Sequence, residues 1–149
     1  MTQPPSDPAP PGKRPRLTPN PNLAMRKGER VLPFGTPGGD VQVQAHLQVF
    51  LNIVVFGLDP QLAVEAPRFV SYSHPDSFEP HAYYPGRVNL EARIPRPTGE
   101  RLAGWGHKLE WYGDFTWRCG GVCVIDSDAR RGVHLCGGDP RRAAYAAAW

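Results

Sequence analysis

Residues 30–57 read RVLPFGTPGGDVQVQAHLQVFLNIVVFG, and the way this stretch divides decides the fold. Arg30 to Phe34 is an apolar run the length of one strand, closed by the turn Gly35-Thr36-Pro37-Gly38-Gly39. Beyond Asp40, the alternation of Val41, Val43 and Ala45 with Gln42, Gln44 and His46 would suit a strand. The absence of any breaker from Val41 to Phe56 favours a helix instead. On that helix Gln44, Gln48 and Asn52 form a polar stripe at i, i+4 and i+8 on an otherwise apolar cylinder. Such a helix is expected to be mostly buried and to stop at Gly57. Asp59-Pro60 then supplies an N-cap and first helical residue for a short helix ending before Pro67.

From Arg68 onward the pattern turns to strands. Phe69 to Ser73, Ala82 to Tyr84 and Val88 to Arg93 read as strands between proline and glycine turns. A helix is predicted from about Pro97 to Trp105, stopped by Gly106. His107 to Tyr112 and Gly121 to Asp126 are further strands, the latter returning through the hydrophilic turn Ser127 to Gly132 into Val133 to Cys136 as a hairpin. The class predicted is α+β, with helices and strands segregated rather than alternating as βαβ units.

The chain has 149 residues, 40% of them hydrophobic and 21% charged, enough apolar material for one domain with a real core. Prolines crowd into residues 1–21, which excludes regular helix and central strand there. Residues 1–11 are expected to be a disordered proline-rich arm and 12–149 a single structured region. The net charge of +3 and one basic run, Lys13, Arg14 and Arg16, are too sparse to indicate a nucleic-acid or anionic-membrane partner, and none is expected. Three cysteines cannot all pair, so no disulfide scaffold is expected; strand alternation would put Cys119 and Cys123 on one face as core thiols. The opening Met-Thr-Gln-Pro-Pro carries no apolar leader, and the longest apolar run, Val49 to Leu58, is too short to span a bilayer. A soluble protein in the cytoplasm is the expectation.

The most informative chemical element is Pro37-Gly38-Gly39 between strand and helix. That geometry frees backbone N–H groups at a helix N-terminus, and glycines let a substrate carbonyl come close. Such donors suit an oxyanion. His74 to His81 (HPDSFEPH) holds two histidines and two carboxylates, but its prolines and the lack of helical ligand spacing predict a rigid surface turn without metal. Arg68, Arg141 and Arg142 are expected in surface or interdomain ion pairs, Arg141 as a structural residue. Trp105, Trp111, Trp117 and Trp149 with Tyr112 are expected to pack a core rather than stack on single strands.

Four motifs, Gly12-Lys13-Arg14-Pro15, Gly35-Thr36-Pro37-Gly38-Gly39, Glu65-Ala66-Pro67-Arg68-Phe69 and Gly138-Asp139-Pro140-Arg141, stand in an order and spacing that resembles the small-subunit end of γ-glutamyltranspeptidases. The resemblance implies part of the four-layer αββα N-terminal-nucleophile hydrolase fold, with antiparallel sheets and a long buried helix, made from a precursor cleaved into two subunits. It implies that Gly38 and Gly39 supply oxyanion-hole amides, that no cofactor takes part, and that the substrate is a small γ-glutamyl or acyl amide. It also implies glutathione-type γ-glutamyl cleavage or transfer, and a partner in the upstream segment or large subunit of the same precursor.

Two departures qualify the resemblance. Where the family has a serine pair that binds the substrate α-carboxylate, this chain has Leu17-Thr18, leaving Thr18 as the candidate substrate-binding hydroxyl. A missing hydrogen-bond partner in a polar site weighs heavily, so a non-γ-glutamyl acyl group, as in an acylase-like member, is the alternative. The threonine nucleophile that the family exposes by self-cleavage is expected upstream of Lys13. Thr2 in Thr2-Gln3-Pro4-Pro5 resembles no such motif. The chain is therefore expected to be a C-terminal portion, inactive by itself. A catalytically dead truncated relative is the competing expectation, and a basic nucleic-acid-binding module, resting only on Lys13 to Arg16 and the tryptophans, is the third.

Overall fold

The computed structural model describes residues 11–12 and 18–147. Nearly all of the expected arm over 1–11, the basic run Lys13 to Arg16, Leu17 and Trp149 lie outside the described residues.

In chain order the elements are β1 (Asn22–Arg26), β2 (Arg30–Gly35), α1 (Val41–Val54), α2 (Pro60–Glu65), β3 (Phe69–Ser71), β4 (Arg87–Glu91), α3 (Arg96–Gly104), β5 (Lys108–Tyr112), a single 3-10 turn at Trp117–Cys119, β6 (Cys123–Asp128) and β7 (Val133–Gly137). Strands β1, β2, β6 and β7 form an antiparallel sheet in that order. Strands β3, β4 and β5 form a second sheet. The α+β class and the β6–β7 hairpin agree with the sequence pattern. Strand β1 was not expected: NLAMR has little β-branched character, and it is recruited by the tight Arg26–Arg30 turn onto β2. Ala82 to Tyr84 is not a strand but part of the long loop between β3 and β4.

Sheet pairing corrects one expectation. β3 and β4 are antiparallel, but β4 and β5 are parallel and joined through α3, so the chain does contain one βαβ unit. Central β4 is buried along Val88, Asn89, Leu90 and Glu91, as a strand covered on both faces should be.

Helix α1 packs Ala45, Val49 and Ile53 against Ala63 and Val64 of α2, Leu32 and Val124 of the four-stranded sheet, and Val122 just ahead of β6. It ends at Val54, three residues before Gly57. Phe56 N–H reaches back to the Leu51 carbonyl at 3.1 Å and Leu58 N–H to that of Asn52 at 2.9 Å, with Gly57 at φ +71° where the chain leaves the helix. The second helix is capped as expected, Asp59 accepting from the N–H groups of Gln61 and Leu62. It lies so close to β7 that a Cβ on Gly137 would stand 2.5 Å from the Pro60 carbonyl oxygen.

The helix is less buried than expected. Val43, Leu47 and Val54 are exposed, as are Leu23 and Met25 on edge strand β1. Its polar stripe faces β3, where Gln44 and Gln48 bond to the backbone of Ser71 and Phe69.

The cysteine expectation also fails: Cys119 is buried in the 3-10 turn, whereas Cys123 is exposed at the start of β6. Burial pushes the Cys119 thiol up to about 12, so it stays protonated at neutral pH. Trp111 packs on α3 at Gly99, but Trp105 and Trp117 are exposed rather than in the core. Among the described residues no helix is long and apolar enough to cross a membrane.

Candidate active site

The strand-to-helix turn is built as its residues dictate. β2 delivers the chain to Gly35 beside Cys123 of β6, and Thr36-Pro37-Gly38-Gly39-Asp40 then reverses it into α1. Gly38 and Gly39 have φ of +142° and +56°, a conformation that costs glycine little and other residues more. Their carbonyls accept the first helical amides, Val41 N–H to Gly38 and Gln42 N–H to Gly39, both at 3.2 Å. The amides of Gly38 and Gly39 themselves meet no acceptor among the described residues. The donors left free at this turn are thus the glycines' own N–H groups.

Both glycines line a cavity of about 350 Å³, together with Val41 and Gln44 of α1, Val70 to Tyr72, Phe78, Tyr84 and Trp117. Its walls are largely apolar and aromatic, with His74, Asp76 and Arg118 as further polar groups. Tyr72 bonds its hydroxyl to that of Tyr112 at 3.0 Å, and burial and that bond push its ionisation well above the ordinary tyrosine value. Arg87 lies over the rings of Tyr72 and Tyr84 at 4.9 and 4.8 Å, bracing this wall.

The segment from His74 to His81 closes one side of the cavity. It is a surface turn, held by hydrogen bonds: Asp76 N–H bonds the Ala82 carbonyl at 2.8 Å and Phe78 N–H the Asp76 carboxylate at 2.9 Å. Among the described residues no group of three His, Cys, Asp or Glu could hold a metal ion. Asp40, at the N-cap of α1, makes no capping bond to its own helix. Its carboxylate instead accepts from the Ser77 N–H at 2.6 Å and from the Ser77 hydroxyl, pinning the turn beside Gly39. Partial burial raises the Asp40 carboxyl, but the bonds from Ser77, together with Asp76 and the nearby His74, hold it below the usual carboxylate range. Asp40 has no role in the sequence reading, because only the fold brings Ser77 to it.

The third and fourth motifs meet beneath the site. Arg68, Glu91, Asp139 and Arg141 are at most 5% exposed. Arg68 Nη2 lies 2.6 Å from Asp139 Oδ2, and Arg141 grips Glu91 through Nε at 2.7 Å and Nη2 at 2.5 Å. Arg141 Nη1 also reaches Asp139 at 3.1 Å. Two arginines and two carboxylates neutralise one another, and backbone carbonyls of Val64, Ala66 and Cys119 take further guanidinium donors. The surface or interdomain ion pairs expected for Arg68 and Arg141 are therefore buried ones inside this chain. Arg142 is exposed, near the Trp117 ring. Glu91 carries no sequence signal, since nothing marks a strand carboxylate as the partner of arginines in distant motifs.

Thr18 is exposed in the lead-in to β1 and does not line the Gly38–Gly39 cavity. Thr36 bears contacts to which the sequence reading gave no role: its hydroxyl accepts from Gly121 N–H at 2.7 Å and donates to the Pro37 carbonyl at 2.8 Å. The available signal was a hydroxyl directly before Pro-Gly-Gly.

A family model described as Gamma-glutamyltranspeptidase matches residues 2–149. The glutathione hydrolase proenzyme of Pseudomonas sp. (strain A14) is 34% identical over 100 residues, 66% of this chain and 16% of that protein. The solved structure of LmbA2991HD is 39% identical with a TM-score of 0.77, covering 88% of this chain and 23% of that one. The cephalosporin acylase from Bacillus halodurans is 33% identical with a TM-score of 0.66, covering 78% of this chain and 20% of that one. The chain thus spans less than a quarter of the length of each of these three. Its α+β arrangement is that of N-terminal-nucleophile hydrolases.

Proposed function

The chain belongs to the gamma-glutamyltranspeptidase family, and from that premise we propose that it forms the oxyanion-stabilising portion of an enzyme that cleaves or transfers γ-glutamyl amides. One observation carries this reading: two glycine N–H groups that meet no acceptor among the described residues, at the N-terminus of a 14-residue helix, on the wall of a cavity. As a nucleophile adds to an amide carbonyl, charge collects on its oxygen. Amide donors already aimed at that position, backed by the helix dipole, stabilise it without reorganising. Gly38 and Gly39 serve as those donors. The attacking threonine, its own amine acting as base, comes from a preceding segment of the same precursor. The exposed apolar residues Val43, Leu47 and Val54 of α1, with Leu23 and Met25 of β1, support a place for that segment against this chain.

A second reading concerns the acyl group. The Leu17 side chain cannot donate a hydrogen bond where the family has a serine, which favours a substrate without the α-carboxylate, and a similar solved structure is named an acylase rather than a γ-glutamyl enzyme. The processed enzyme that carries this chain should be offered γ-glutamyl p-nitroanilide and 4-aminobutyryl p-nitroanilide, which differ only in that carboxylate. Faster turnover of the first supports γ-glutamyl chemistry; faster turnover of the second supports the acylase reading. Turnover of either that is indifferent to Gly39→Ala would sink the oxyanion assignment, and turnover of neither would sink the reaction class.

A further inference from the structure

The geometry points to the Thr36 hydroxyl as a positioning group for the oxyanion donors, an inference that rests on the reading of Gly38 and Gly39 just given. A peptide unit is planar and trans, so its C=O and N–H point in opposite directions, and holding the carbonyl aims the N–H. The Gly39 amide belongs to the Gly38–Gly39 peptide, whose carbonyl is held by Val41 N–H of the helix. The Gly38 amide belongs to the Pro37–Gly38 peptide, whose carbonyl is held by the Thr36 hydroxyl at 2.8 Å. One donor is thus aimed by the helix backbone and the other by a side chain. Glycine at φ +142° offers little resistance to rotation of that plane, and the hydroxyl provides the restraint.

The hydroxyl is itself fixed from the far side. It spends its proton on the Pro37 carbonyl and accepts Gly121 N–H at 2.7 Å. The backbone flanking Gly121 is fastened to the buried ion cluster, with the Cys119 carbonyl accepting from Arg68 at 3.0 Å and Val122 N–H donating to Asp139 at 2.8 Å. Hydrogen bonds at both ends of the backbone segment 119–122 therefore link Asp139 and Arg68, through Gly121 and Thr36, to the peptide that carries the Gly38 N–H. Thr36 touches no reacting atom in this scheme. It sets the direction of one that does.

The test is steady-state kinetics of the processed enzyme on whichever of the two anilides it turns over, with thermal melts alongside. Thr36→Val and Thr36→Ala should lower kcat by roughly ten- to a hundredfold with KM little changed, because a misaimed donor is lost chiefly in the transition state. Thr36→Ser, which restores the hydroxyl, should recover most of kcat. The inference is overturned if Thr36→Val or Thr36→Ala keeps full kcat, if the loss falls on KM, or if Thr36→Ser is as impaired as Thr36→Ala. It is also overturned if both hydroxyl-free variants fail to fold while Thr36→Ser folds, since the hydroxyl would then act through stability alone. Gly39→Ala separates the two levels. If it leaves kcat unchanged, the oxyanion reading falls; if it lowers kcat and Thr36→Val does not, only the positioning role falls.

Discussion

Gln44 of α1 and Ser71 of β3 exchange two hydrogen bonds, Ser71 N–H donating to Gln44 Oε1 at 2.8 Å and Gln44 Nε2 to the Ser71 carbonyl at 3.0 Å. One helical turn on, Gln48 and Phe69 do the same at 3.1 and 3.0 Å. β3 is an edge strand, and these amides stand where the next strand's backbone would be. The polar stripe that makes α1 look amphipathic is thus half of a ladder, and it fixes the helix on which the Gly38–Gly39 turn depends.

Removing these amides should cost stability in proportion to burial. Gln44→Leu strands a part-buried N–H and C=O and is expected to lower unfolding free energy by about 1–3 kcal/mol. Gln48→Leu should cost less, because water reaches Phe69, which is 45% exposed. Urea titration of both variants checks the order, and equal losses would show that burial is not what decides it.

The buried cluster should be far less forgiving than surface pairs. Asp139→Asn takes the carboxylate from Arg68 and leaves Glu91 as the cluster's one counter-charge to two buried guanidiniums, and is expected to cost about 3–5 kcal/mol. Arg130→Ala removes a pair with Glu29 in which the Arg130 side chain is 68% exposed, and should cost less than about 1 kcal/mol. Chemical unfolding of the two variants side by side gives the comparison; similar losses would mean that the cluster is not the closure of the fold.

Asp40 makes the loop over the cavity sensitive to acid. A carboxyl whose folded value is depressed stabilises the folded form above its unfolded value, and that contribution disappears as pH falls through the depressed one. The bond to Ser77 should therefore be intact at neutral pH and lost only below the usual carboxylate range. Trp117 and Phe78 line the same cavity, so Trp117 fluorescence is expected to change in that window and to lose the step in Asp40→Asn. A step that survives in Asp40→Asn would assign the transition to another group.

Gly39 and Thr18 should separate chemistry from recognition in the processed enzyme. A Cβ on Gly39 would lie 3.0 Å from the Phe78 ring at a backbone φ of +56°, so Gly39→Ala should displace the amide and lower kcat by roughly a hundredfold. Thr18 lies outside the cavity in this chain, so only if the assembled enzyme brings the acyl end to it should Thr18→Ala act through KM and shift the preference between the two anilides. Equal loss of kcat in both would end the division of labour while leaving the turn's role intact.

What could be read from the chain followed local rules. The Asp59-Pro60 cap, the β6–β7 hairpin and the Pro-Gly-Gly turn are each settled by residues within one turn of themselves. The parallel pairing of β4 with β5 and the burial of Arg68 with Glu91 depend on which distant segments meet, and a periodicity of two or 3.6 residues carries no such information. β1 escaped notice because its pairing is imposed by β2 rather than by its own residues. At the candidate site the glycines were legible from their lack of side chains. Thr36 and Asp40 were not, since their partners Gly121 and Ser77 lie 85 and 37 residues away.

The ion cluster also sets an order of events during synthesis. Glu91 leaves the ribosome 50 residues ahead of Arg141, and the Val64 carbonyl that Arg141 also binds precedes it by 77. Until the Asp139-Pro140-Arg141 stretch emerges, Arg68 and Glu91 are charges with no place in a dry interior, and the segment that braces Thr36 is unanchored. The Asp139-Pro140-Arg141 stretch is thus a latch on a turn made much earlier in the chain. A chain stopped at Gly138 is expected to remain loose and protease-sensitive, and a sharp cooperative melt from that truncation would contradict it.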